Sequence, residues 1–199
     1  MSLIPVGPTT GKTLLPPNGK SKSIIEILQK FHVDYRVNNL AWGGGDAVIP
    51  DLARQAGLSV AQFTEQLILA VRNPDIKVRH AALSLLSEIG QVRGKDSRQE
   101  ILPRLIGALS SPDIGVRQAA ASSLGHMGPD AKEAMKPLLG IVAYNRFAID
   151  LESKDLLRKA LDALDLIATR EEVKNAIVSD SDLNDYAIEY FLTKPNQTI

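Results

Sequence analysis

Between residues 59 and 128 the apolar positions recur at helical spacing, in short blocks separated by proline, aspartate and glycine. Val78, Ala82, Leu85 and Ile89 stand four, three and four residues apart, so on a helix they form one stripe. Val116, Ala120, Ser123 and Met127 repeat that spacing, with Ser123 the polar member. Each stripe predicts a helix with one buried face. Ahead of each lies a more uniformly apolar run that reads as a first helix, ending near Asn73 or Ser111. Pro74 and Pro112 then break the helix, because proline has no amide to continue the ladder. Asp75 and Asp113 follow, where a carboxylate can accept the orphan amides of the next helix. Gly90 and Gly128 close the blocks and read as C-terminal stops. The pairs Ala81–Ala82 and Ala119–Ala120 remove bulk and predict close approach of neighbouring helices.

The two blocks are copies of one unit. Residues 67–90 and 105–128, offset by 38, are identical at 13 of 24 positions, where unrelated stretches would share roughly one or two. The clearest units are 59–90 and 97–128. A more divergent third is expected over 130–168: a first helix at 130–144 carrying Pro137, then, after a longer loop, a second helix at 154–168 with Leu157–Arg158 in place of Val–Arg. Upstream, residues 24–35 and 46–57 read as irregular helices around a Gly43–Gly44–Gly45 turn. Downstream, Thr169 and Glu172 have capping-box spacing, and capping helices are expected over 170–193, the last near 182–193 with Tyr186 and Tyr190. Residues 1–23 carry four prolines, three glycines and no acidic side chain. They read as a flexible tail ahead of one domain at 24–199.

The string Pro-Asp-Ile-x-Val-Arg-x-Ala-Ala, followed by leucine and a closing glycine, resembles the HEAT-repeat family, including its phycobilisome-lyase-type members. Val78–Arg79 and Val116–Arg117 match its second-helix signature. The resemblance implies an all-α, right-handed solenoid of antiparallel helix hairpins. It also implies an inter-repeat hydrogen-bond ladder built on an aspartate six residues before the arginine. Here Asn73 and Ser111 hold that position, so the ladder is expected to be built differently. Because Arg79 and Arg117 recur in register, they read as architecture rather than as a site.

Composition and charge narrow the chemistry. The chain has no cysteine, which excludes disulfides, thiolate metal sites and cysteine nucleophiles. Lys plus Arg and Asp plus Glu balance at 23 each, so no global field draws a nucleic acid. No apolar run approaches the ~18 residues of a membrane span, and the first residues lack the apolar stretch of a secretory signal; the expectation is a cytoplasmic protein. Gly7 to Thr13 resembles a phosphate-binding loop but has three residues between its glycines where four are needed, and Pro8 offers no amide. His32, His80 and His126 have no second histidine at i+3 or i+4. Asp162 and Asp165 share a helix face within a stretch, 150–189, that holds 11 Asp/Glu against 5 Lys/Arg. Without a calcium-type loop, that stretch reads as a solvated acidic face. No catalytic, metal or cofactor site is therefore expected.

The expected function is a non-catalytic scaffold that binds another protein. Off the buried stripe, the second helices present Lys77, His80, Ser84 and Glu88, then Gly115, Gln118, Ser122 and His126. A basic connection carrying Arg93, Lys95, Arg98 and Arg104 lies beside them. The expected contact set is Lys77, His80, Ser84, Gln118, Ser122, Arg93, Lys95 and Arg98. Two alternatives stay open. One is a nucleic-acid-binding protein or DNA glycosylase of HEAT-like fold, which would need a basic face and aromatic side chains; the single tryptophan, Trp42, lies outside the clear repeats. The other is a helper of chromophore proteins, like some bilin lyases. Fold does not decide among them, and neither the partner nor the oligomeric state can be read from these residues.

Overall fold

The computed structural model describes residues 22–37, 44–145 and 147–179, and every regular element among them is helical. They are α1 (Ile24–Val37), α2 (Gly44–Ala56), α3 (Val60–Ala70), α4 (Ile76–Glu88), α5 (Lys95–Ala108), α6 (Ile114–Met127), α7 (Met135–Asn145), α8 (Leu151–Ile167) and α9 (Arg170–Val178). Short 3-10 turns, Ile89–Gln91 and Gly128–Ala134, lead out of α4 and α6. Residues 1–21 of the tail expected at 1–23, the glycine-lysine motif within them, Trp42 and the terminal helix expected at 182–193 lie outside the described residues. Helix α2 begins at Gly44, so two of the three glycines expected in a turn are its first residues.

The helices stack as hairpins in an all-α solenoid. Helices α3 and α4, α5 and α6, and α7 and α8 pair as first and second members, and the second helices run side by side as α4–α6–α8. Helix α1 extends that row by packing on α4. Gln29 reaches the start of α4 through Asp75, and His32 lies beside His80 further along, so α1 runs parallel to α4 as another second helix would. In the other layer α3 packs on α5, and α7 on α9.

The local chemistry explains each break. Helix α3 ends at Ala70 and α4 begins at Ile76, with Pro74 between them. Asp75 Oδ1 accepts the Lys77 amide at 2.9 Å, and Asp113 Oδ1 accepts that of Val116 at 3.2 Å. The third hairpin uses the same device, Asp150 Oδ1 accepting the Ser153 amide at 2.8 Å. That cap is why α8 starts at Leu151 and not at 154. Its Leu157–Arg158 pair does not reproduce Val–Arg: Leu156 is the buried residue there, and Arg158 lies between two carboxylates of its own helix.

The repeated arginines close the turn of their own hairpin. Arg79 Nη1 donates to the carbonyls of Asn73 and Pro74, both at 2.8 Å. Arg117 Nη1 does the same to Ser111 at 2.6 Å and Pro112 at 3.2 Å. Asn73 Oδ1 and Ser111 Oγ meanwhile accept the amides of Asp75 and Asp113. The backbone carbonyl thus takes the arginine where the resemblance implied an aspartate side chain, and the side chain at that position shapes the turn.

Both predicted stripes are buried, and Leu86 and Leu124, one turn across, are fully so. Ser123 is buried and donates to the Leu86 carbonyl, which satisfies its hydroxyl and ties α6 to α4. Gly128 ends α6 with φ +60°, as a stop should. Gly90 does not stop α4. It lies in the following 3-10 turn, and a Cβ there would come 1.8 Å from the Ser123 carbonyl oxygen. Glycine is required because two backbones touch.

Candidate functional site

The open face of the second-helix row is where the expected contact residues gather. Lys77, His80 and Ser84 of α4 are exposed. His80 is not isolated: its ring centroid is 6.2 Å from that of His32 on α1. No spacing within one helix could have shown this pair, because 48 residues of sequence separate its members.

On α6 Gln118 and Ser122 are half-buried, His126 is exposed, and all three are engaged. Gln118 Nε2 donates to the Glu152 carbonyl at 2.9 Å, holding the first turn of α8. Ser122 Oγ accepts from Lys159 Nζ at 3.3 Å. His126 Nδ1 lies 3.0 Å from the Ser87 carbonyl oxygen. A carbonyl only accepts, so this contact calls for a proton on Nδ1, the tautomer in which Nε2 is the acceptor. These residues serve the α4–α6 and α6–α8 contacts as well as the surface.

The expected basic connection is mostly helix, with Arg93 ahead of α5 and Lys95, Arg98 and Arg104 on it, and its charges divide. Arg93 and Lys95 are exposed. Arg98 turns inward, its Nε donating to the Val92 carbonyl at 3.0 Å and its Nη1 pairing with Asp130. Arg104 Nε meets Glu65 of α3 at 2.8 Å. Two of the four cations therefore hold neighbouring hairpins together, a use that charge alone along the sequence does not reveal.

Between α6 and α8 the face opens into a cavity of about 220 Å³. Helix α6 floors it with Ala121 and Gly125 and edges it with Ser122 and His126. From α8 come Ala163 and Leu166, with Arg158, Lys159 and Asp162 at the rim. Small residues let the helices close: a Cβ on Gly125 would stand 3.2 Å from the Ala163 Cα. In the other copy the matching positions are Leu83 and Ser87. Arg158 is held by its own helix, Nη2 donating to Asp155 Oδ1 at 2.6 Å and Nη1 to Asp162 Oδ2 at 3.1 Å.

The acidic pair Asp162 and Asp165 is not a cation cradle. Asp162 is taken by Arg158. Burial and the neighbouring Asp162 charge push the Asp165 carboxyl above its ordinary range. Among the described residues no group of three His, Asp or Glu side chains is placed to hold a metal, and no helix is long and apolar enough to cross a membrane.

No curated protein matches the chain. The family model for HEAT repeats matches residues 64–150, from α3 to the start of α8. This is the stretch in which the duplicated Val–Arg helices, their aspartate caps and the stacked hairpins occur, and over residues 64–150 the chain matches HEAT repeats.

Proposed function

We propose that this protein is a non-catalytic scaffold that holds another protein on its second-helix face. The observation that carries the reading is the row α1–α4–α6–α8, whose open side joins exposed polar groups on α4 to a side-chain-sized cavity between α6 and α8. Stacked repeats commonly bind partners along such an extended surface. The centre of the contact is Lys77, His80, Ser84 and Ser122, with Gln118 beside them through its outer edge. Arg93 and Lys95 flank the strip and orient a partner rather than supply most of its affinity. Arg98 is left out of the contact set because its donors are spent on Val92 and Asp130. The mixed charge of the face, with Asp155 and Asp162 beside Arg158 and Lys159, argues against a nucleic-acid backbone as the ligand. Cytoplasmic residence fits this role.

A photo-crosslinking amino acid placed at Ser84 tests the reading against one at Gly107. Gly107 is exposed on α5, in the other layer, with open space around it. In native lysate, position 84 should capture specific proteins that position 107 does not, and nuclease should leave the adducts unchanged. Equal capture at both positions, or adducts abolished by nuclease, would refute the assignment.

A further inference from the structure

We propose that the cavity between α6 and α8 receives a tyrosine side chain presented by the partner protein. The proposal rests on the second-helix face being a protein-binding surface and specifies the chemistry of its anchor.

Size comes first. At about 220 Å³ the cavity lies below the roughly 300–1,000 Å³ of small-molecule sites and suits one large side chain. Its floor, Ala121, Gly125 and Ala163 with Leu166 as a wall, is apolar and offers a flat ring dispersion contact.

The rim then selects the ring. Arg158 donates in its own plane to Asp155 and Asp162, one turn to either side. Those bonds engage two of the five guanidinium N–H groups and fix its plane, and its faces can stack on an aromatic ring. The two carboxylates also balance Arg158 and Lys159, so neither an anion nor a cation gains from entering. A neutral ring does.

The polar groups select the hydroxyl. His126 Nε2 is left as an acceptor because Nδ1 is committed to the Ser87 carbonyl. Ser122 Oγ accepts from Lys159, so its own proton is available to donate. A phenol O–H matches both, donating to the imidazole and accepting from the serine. Phenylalanine would leave the imidazole acceptor unpaired in a partly desolvated site. Buried aromatic anchors are also the residues that carry most of the energy in protein interfaces.

The test needs no partner, so its failure is separable from failure of the crosslinking experiment. The full ¹⁵N-labelled chain is titrated with p-cresol, toluene and 4-methylbenzoate, and amide shifts are followed. p-Cresol should give saturable shifts confined to Ser122–His126 and Arg158–Ala163, with toluene at least fivefold weaker and 4-methylbenzoate inert. Ser122→Phe fills the cavity and should abolish the shifts. Arg158→Met keeps the stem but removes the stacking plane, and should weaken p-cresol several-fold while the remaining spectrum shows an intact fold. Shifts scattered over the surface would overturn the proposal, as would 4-methylbenzoate binding as well as p-cresol, or p-cresol unaffected by both substitutions.

Discussion

Replacing Gly90 by alanine tests a close backbone approach between two repeats. The added Cβ would lie 1.8 Å from the Ser123 carbonyl oxygen and 2.7 Å from its carbonyl carbon. Both are backbone atoms of α6, so no side chain can swing aside. Restoring an ordinary contact demands a movement of more than about 1 Å between the end of α4 and the middle of α6, in an interior that resists compression. Such a shift also pulls on the Ser123 hydrogen bond to Leu86 and on the His126 contact with Ser87. Overpacking costs about 1–3 kcal/mol, and weakening a buried hydrogen bond adds roughly 1 kcal/mol. The expected loss is therefore about 3 kcal/mol, read from urea unfolding by linear extrapolation. Gly107→Ala supplies the control: nothing lies within 4 Å of its Cβ, and alanine in an exposed helix should stabilise by roughly 0.5–1 kcal/mol. A Gly90→Ala protein within 0.5 kcal/mol of wild type (the rough noise of such comparisons) would mean that α4 and α6 are not packed as described.

Leu86→Ala and Leu124→Ala should each cost on the order of 2–5 kcal/mol by urea melt, since both side chains are fully buried; a neutral result for either places the stripe on the wrong face. Arg79→Ala should cost about 1 kcal/mol by freeing the Asn73 and Pro74 carbonyls; unchanged stability would deny the arginine its architectural role. Acid should destabilise the fold in a defined window. The Lys132 ammonium, with the Thr169 amide and hydroxyl, holds the Glu172 carboxyl down at about 2 from an ordinary 4.5, and the Gln29 amide lowers Asp75. Lowered carboxylates contribute stability that is full above their ordinary range and is lost as pH falls through the native values. The loss should thus run from about pH 5 toward 2, and Lys132→Gln should flatten it; an unchanged acid slope in that variant would show that the ion pair is absent.

How much of this could be read from the chain depended on the range over which each residue acts. The hairpins, the proline breaks, the aspartate caps and the Thr169 capping box are local, acting within a few residues, and the pattern displayed them. The duplicated block displayed the stacking as well, because two units alike at 13 of 24 positions must bury the same face. What stayed hidden acts across helices. Gly90 read as a stop because a glycine after a helix usually is one; that it makes room for Ser123 shows only once α6 is set beside α4. Arg98 and Arg104 read as loop charge until Asp130 and Glu65 arrived from other elements. The third hairpin shifted by three residues because Asp150, not the apolar spacing, sets where α8 begins. Helix α1 had no repeat signature, yet the geometry of Gln29 and His32 places it in the second-helix row.

The cavity follows from the difference between the copies. Residues that the two units share, such as Ala82 and Ala120 or Leu86 and Leu124, face the common core, where each must fit its counterpart. Selection for stacking keeps such positions alike and leaves the outer face free to vary. At that face Leu83 becomes Ala121 and Ser87 becomes Gly125. The Leu83 side chain reaches across to Gly115, where a Cβ would meet it at 3.3 Å, filling the groove between α4 and α6. On α6 the same two positions are cut back to a methyl and a hydrogen, and α8 supplies a paired arginine and an aliphatic wall. That loss of volume serves stacking in part, since a Cβ on Gly125 would stand 3.2 Å from the Ala163 Cα, and it also opens the space lined by Ala121 and Leu166. On the proposal above, that space, beside an arginine held by two carboxylates of its own helix, seats a side chain of the partner protein.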